Sequence, residues 1–134
     1  SGIYGPGRNT FVNLVDGSAK RIVKPGQYFN RIHVADIAGA AMLLARHKAD
    51  GLFNVTDNEP APPQDVVTYA AELMGMEPPP EVAYEDAELS PMARSFYGEV
   101  KRVSNAKIHK MDYNFQYQNY RAALDDMWQN GRWR

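Results

Sequence analysis

Asn30-Arg31-Ile32-His33-Val34-Ala35-Asp36-Ile37-Ala38 is the stretch on which the reading of the fold turns. Tyr28 to Val34 reads as an extended run, and Arg31 and His33 alternate along it, so they point the same way. Asp36 then opens a helix, where a carboxylate favours the positive end of the helix dipole. Ile37, Ala41 and Leu44 share one face, with Ala38 and Ala45 beside it, and residues this small allow close approach to a sheet. Arg46, His47 and Lys48 complement the carboxyl end, and Gly51 follows. The next run, Leu52-Phe53-Asn54-Val55-Thr56, reads as a strand. Strands alternating with helices predict an α/β class.

Working outward, Gly5, Pro6 and Gly7 form a turn cluster. Phe11, Leu14 and Val15 recur at helical spacing and Gly17 stops them. Arg21 to Lys24 is a short strand, and the Pro25-Gly26 turn predicts a hairpin with the run that ends at Val34. Asp57 to Pro60 breaks the strand from Leu52. Pro62 and Pro63 suit the first turn of a helix that carries Val66, Ala70, Leu73 and Met74 inward and ends at Gly75. Pro78-Pro79-Pro80 is a stiff connector, and Val82 and Tyr84 alternate like a strand. Ser90-Pro91 predicts a capped helix through Phe96. Arg102-Val103 reads as extended, and Ser104 or Asn105 would cap a short helix holding Ile108 and Met111. Tyr113, Phe115, Tyr117 and Tyr120 alternate with amide side chains, as in a half-buried strand or in a surface that faces another part of the protein. Tyr120 to Asn130 is the last helix, ended by Gly131.

The 134 residues are read as a single domain, 1–134, large enough to bury roughly two-thirds of its unfolded surface. A formal net charge of −1 gives no electrostatic reason to expect nucleic acid or an anionic membrane as partner. With no cysteine, disulfides, thiolate metal sites and cysteine nucleophiles are excluded, and a cytoplasmic location is expected. The three histidines are far apart and show no metal-ligand spacing. No run approaches the ~20 apolar residues that span a bilayer. Ser1-Gly2-Ile3-Tyr4 begins on what reads as the end of a strand. The chain is therefore expected to be a piece cut from a longer protein, with Ser1 either native or left by cloning.

No glycine-rich loop follows a strand and opens a helix, the arrangement that sets backbone amides against a pyrophosphate. Four segments nevertheless resemble, in order and spacing, the extended or atypical short-chain dehydrogenase/reductase superfamily, the NAD-dependent epimerase/dehydratase group. They are Gly2 to Arg8, Asn30 to Ala38, Gly51 to Val55, and Pro60 to Gly75 with the prolines behind it, about two-thirds of the chain. The tail from Leu89 to Asn105 is similar to a subgroup known only as NAD(P)-dependent oxidoreductases. The resemblance implies the carboxy-terminal portion of a Rossmann-type protein: the last sheet elements plus a small mixed α/β substrate-binding lobe. The amino-terminal half would carry the cofactor loop and the catalytic tyrosine and lysine. NAD or NADP would serve the intact protein, a hydroxyl- or carbonyl-bearing small molecule would be its substrate, and this chain alone would bind no cofactor and be inactive. It would self-associate through surface exposed by the missing half. Two other readings stand beside this one: a catalytically silent dinucleotide sensor or protein-binding regulator on the same fold, and an independent small α/β binding module.

Candidate residues follow. The resemblance places Tyr4, Gly5 and Pro6 at the nicotinamide end of the site, and Arg8 is a candidate anion contact. Asn30, Arg31 and His33 are candidate substrate contacts, although His33 is read first as a structural hydrogen-bonding histidine. Phe29 stands where many sugar-nucleotide members place an arginine, and Asn30 where an aspartate is common, which speaks against a nucleotide-sugar substrate. Arg94, Lys101 and Arg102 are candidates for a lid over an anionic or polar substrate. Tyr97 and Lys101 spell the Y-x-x-x-K spacing, but Gly98 weakens a helix there and the pair lies on the wrong side of Tyr4-Gly5-Pro6-Gly7. No residue of the chain is therefore expected to be catalytic.

Overall fold

The computed structural model describes residues 2–134, so Ser1 lies outside the described residues. The elements run β1 (Gly2–Tyr4), α1 (Thr10–Val15), β2 (Arg21–Val23), β3 (Arg31–His33), α2 (Val34–Arg46), α3 (Pro63–Leu73), β4 (Glu81–Ala83), α4 (Pro91–Phe96), α5 (Ala106–His109) and α6 (Tyr120–Gln129). The α/β class holds, with the strands in two parallel pairs. β1 lies beside β3, Tyr4 opposite His33, and β2 beside β4, Ile22 opposite Val82.

The hairpin is a correction. The chain does turn after Lys24, where the Gln27 N–H donates to its carbonyl at 3.0 Å. The returning segment then leaves its neighbour: Phe29 bridges Ala61, and Arg31–His33 pairs with β1. β2 takes β4 instead, with α3 packed against it, which is a parallel crossover and not a hairpin. Leu52–Thr56 is a second correction, since it joins no ladder among the described residues. Its carbonyls are met by side chains near α5: Lys107 Nζ donates to Leu52 O at 2.8 Å and Asn105 Nδ2 to Thr56 O at 2.9 Å. Tyr113–Tyr120 likewise forms no strand, although Tyr117 and Tyr120 are buried and the amides between are mostly exposed. Tyr84 lies in a 3-10 turn, Tyr84–Asp86, beyond the end of β4.

Most helices lie where local signals put them, but α2 takes Val34 from the extended run and opens two residues before Asp36. Asn9, His33, Ser90 and Asn119 cap α1, α2, α4 and α6 with a side-chain acceptor. Gly75 ends α3 at φ +64°, a conformation that costs other residues strain. The main core gathers Phe11 and Leu14 of α1, Val66, Ala70 and Ala71 of α3, and Tyr120, Leu124 and Met127 of α6. A smaller cluster joins Ile22, Ala87 and Tyr97. Much of α2 faces outward, including Val34 and Met42, and Leu52 is 82% exposed.

Asp36 is the most deeply buried carboxylate among the described residues, with 0% exposure. It accepts hydrogen bonds from Tyr113 Oη at 2.9 Å, Gln116 N at 2.7 Å and Tyr117 N at 3.0 Å. Gly39 lies one turn on, and a Cβ there would run into the Tyr113 hydroxyl, so its small size admits this tyrosine and not a sheet. Asp36→Asn would turn an amide donor toward one of these N–H groups. We expect it to lower the unfolding free energy by about 2 kcal/mol or more in urea denaturation. A loss below a few tenths would mean that the 113–117 segment is held by other contacts.

Candidate functional site

A cleft of about 730 Å³ opens between the β1–β3 pair and the segment running from α4 to Lys101. Gly2, Ile3 and Arg31 belong to its β-strand side, Phe29 to one wall, and Phe96 and Tyr97 to the covering segment. A second cavity of about 320 Å³ lies toward α1 and α6 and shares Gly2, Ile3, Arg8 and Arg31 with the first.

The covering strap, residues 97–103, is held by side chains from the β2–β3 connection. Lys24 Nζ donates to Tyr97 O, Gln27 Nε2 to Glu99 O at 3.2 Å, and Asn30 Nδ2 to Lys101 O at 2.7 Å. Asn30 Oδ1 also accepts from Val103 N at 2.9 Å. The carbonyls of Tyr97, Glu99 and Lys101, two residues apart, are thus met by amide and ammonium side chains and not by a neighbouring backbone. Lys24 and Gln27 were not singled out from the sequence. Gln27 is only 1% exposed, and nothing local distinguishes it from a surface glutamine.

The other candidates divide clearly. Arg8 and Arg31 line both cavities, and Lys101 lines the cleft but pairs with Glu99. Arg94 donates to Ala87 O at 3.0 Å and lies over the Tyr84 ring, while Arg102 stacks on Tyr28, 3.8 Å from the ring centroid. Neither lines the cleft. α4 ends at Phe96, so Tyr97 and Lys101 share no helix face; Tyr97 is buried against Phe29 and Tyr84 and its hydroxyl is pushed up by burial. Tyr4 lines the smaller cavity; Gly5 N and O pair with Arg8, and Gly5 O also accepts from Asn9 Nδ2.

Behind β3 lies a buried polar cluster. The His33 Nδ1 accepts from Ala35 N at 3.1 Å, which requires a neutral ring, and burial pushes its pKa down. Tyr4 Oη, His33 Nε2, Thr56 Oγ1 and Asp57 Oδ2 have no hydrogen-bond partner among the described residues. Burial pushes the Tyr4 hydroxyl up, lowers Arg31 and raises Asp57 to about 6. Asp57 is fixed by its own N–H to Arg31 O at 2.8 Å and by Glu59 N to its Oδ1 at 3.0 Å. Among the described residues, no group of three or more His, Asp or Glu is placed to hold a metal, and no helix is long and apolar enough to cross a membrane.

The dinucleotide that the sequence resemblance implies can be tested against the helix ends. The first turn of α2 is occupied by the His33 ring and that of α6 by Asn119. α3 begins at Pro63, which has no N–H, and carries Asp65 in its first turn. These three helices offer no free cradle for a diphosphate.

No family model matches the sequence, and no curated protein is significantly similar to it. Solved structures are. A protein of unknown function from Silicibacter pomeroyi is 48% identical, with a TM-score of 0.89 over 97% of this chain and 46% of its own. A human epimerase family protein solved with NADPH is 17% identical, with a TM-score of 0.78 over 96% of this chain and 46% of its own. A protein described as an NAD-dependent epimerase/dehydratase from Methylobacillus flagellatus is 26% identical, with a TM-score of 0.67 over 98% and 45%. This is the fold of the carboxy-terminal part of an extended short-chain dehydrogenase/reductase. The chain spans somewhat under half the length of those proteins.

Asp57 gives this cluster a pH signature. Its folded value, about 6, lies above the ordinary 3.8, so the folded chain holds the extra proton between them. Its contribution to stability therefore falls as pH rises through that window. We expect the stability of Asp57→Asn relative to the parent to grow by about 2 kcal/mol between pH 4 and 7 in urea melts. A difference that does not change with pH would mean that Asp57 ionises normally.

Proposed function

We propose that the chain is the substrate-binding portion of an NAD(P)-dependent oxidoreductase, epimerase or dehydratase of the extended short-chain type, acting on a small molecule with a hydroxyl or carbonyl group. The cleft under the strap is its substrate site. The supporting observation is the pairing of this fold with a cleft that offers aromatic walls and two cations, Arg8 and Arg31, that form no ion pair among the described residues. Four structural neighbours were solved with NADPH or NAD.

The nicotinamide would supply hydride chemistry when bound, with a tyrosine and lysine outside these 134 residues managing the proton. This chain would supply the rest. Arg8 and Arg31 orient the substrate, while Phe29, Phe96 and Tyr97 exclude water from it. Lys101 stands at the cleft margin, and Asn30 keeps the strap in place. Tyr4, Gly5 and Pro6 would stand at the nicotinamide end as a wall: the backbone of Gly5 is already paired, and Pro6 has no N–H. His33 holds the start of α2 behind them, and Arg94 and Arg102 brace the strap through Tyr84 and Tyr28.

The phosphate cradle belongs outside this chain, so isothermal titration of the folded chain with NAD, NADH, NADP and NADPH should give millimolar affinity or weaker. Micromolar binding of any of them would overturn that division of labour. In the intact protein, Phe29→Ala should raise KM about tenfold with a smaller change in kcat. An unchanged KM would remove the cleft from the substrate's path.

A further inference from the structure

Arg31 rises from β3 at the junction of the two cavities and is half-buried. Its Nη1 donates to Phe29 O at 3.1 Å and Ala61 O at 3.0 Å, both neutral carbonyls. The remaining guanidinium donors have no protein acceptor, and Arg31 enters no ion pair among the described residues. Other arginines are provided for: Arg21 pairs with Glu81, Arg121 with Glu59 and Arg132 with Asp126, while Arg94 and Arg102 lie on tyrosine rings. Asp57 is the carboxylate whose charge acts on Arg31, but it lies beyond ion-pair distance. A half-buried guanidinium outside any ion pair has given up part of its hydration for two neutral carbonyls, and its remaining donors are open to the cavities. A forked anion restores both charge and hydrogen bonds. Arg8 is exposed, its side chain forms no ion pair among the described residues, and it lines the same two cavities.

We propose that Arg31, assisted by Arg8, is an anion subsite, and that the cleft takes a small carboxylate with a flat apolar body. The proposal rests on the reading of the cleft as the substrate site and narrows its substrate class. Phe29 lines the same cleft, and its carbonyl accepts from Arg31 Nη1 at 3.1 Å, so an apolar ring and the guanidinium belong to adjoining parts of one wall. Phe96, 63% exposed and part of the same lining, supplies a second apolar surface. A diphosphate fits less well: two free cations serve one anionic group, and the third cation of the lining, Lys101, is engaged by Glu99. A carboxylate and an orthophosphate present the same fork of oxygens, so the experiment must separate them.

The test is an amide-resolved NMR titration of the full chain with benzoate, its neutral isostere benzamide, inorganic phosphate and uridine diphosphate. Benzoate should shift the amides of Phe29, Arg31, Phe96 and Tyr97 saturably, and benzamide should bind about tenfold more weakly. Arg31→Lys should weaken benzoate about tenfold, and Arg8→Gln about threefold, while leaving benzamide unchanged. Arg8→Gln breaks no ion pair among the described residues, so it carries the comparison even where Arg31→Lys lowers stability. Benzamide binding as well as benzoate would overturn the anion subsite and leave the cleft as a substrate site. Phosphate or uridine diphosphate binding about tenfold tighter than benzoate would overturn the carboxylate class. Cleft amides unmoved by all four probes would overturn both the proposal and the reading beneath it.

Discussion

The Asp36 carboxylate, withdrawn from water at the start of α2, collects the hydroxyl of Tyr113 and the N–H groups of Gln116 and Tyr117. A buried charge is tolerated only when its oxygens are met, and here partners from far along the sequence meet them. The consequence runs in both directions. Toward the amino terminus, His33 caps the same helix and is the last residue of β3, so the strand end and helix start form one unit. Toward the carboxyl terminus, the 113–117 segment feeds α6, whose Tyr120, Leu124 and Met127 fill the core against α1 and α3. The β1–β3 side of the cleft is therefore set by a polar clamp and the core behind it by apolar burial.

What could be read from the sequence follows the range of the interaction concerned. Helix ends are local events, and Asn9, Ser90 and Asn119 act within three residues of themselves. The glycines after α3 and α6 are equally local. Strand pairing is not local. Arg21–Val23 followed by Pro25-Gly26 has the sequence of a hairpin, yet its partner, Glu81–Ala83, lies beyond two helices. The alternation from Tyr113 to Tyr120 predicts a burial rhythm correctly and a ladder wrongly, because side-chain period says nothing about where the backbone donors go. Two of those donors go to Asp36, whose sequence position accounts for a helix dipole and not for three hydrogen bonds. In the cleft, Arg8, Arg31 and Lys101 were legible as candidates because charged residues near a turn or on a strand stand out. Gln27 and the strap role of Asn30 were not, since each depends on a segment some seventy residues away.

Charge in this chain is spent unevenly. The net balance is near neutral, and the ion pairs sit on the periphery, where each contributes little to stability. Around β3 the arrangement reverses: Arg31 has carbonyls and no carboxylate, and Tyr4, His33, Thr56 and Asp57 each keep a buried polar atom without a protein partner. Native interiors rarely leave such atoms unmet, and several beside one another mark a region shaped by something other than stability.

The strap makes the same distinction mechanically. Its attachments are hydrogen bonds from Lys24, Gln27 and Asn30 at a partly wet edge, each worth about 1 kcal/mol. Its apolar anchorage is Tyr97, buried with Ile22 and Ala87, whereas Met92, Phe96 and Val100 stand exposed. Moving residues 98–103 would break a few such bonds and uncover little apolar surface, while moving α6 would open the main core. A ligand in the cleft could therefore displace or draw down the strap at small cost, and the exposed Phe96 ring is the surface with most to gain from contact with it.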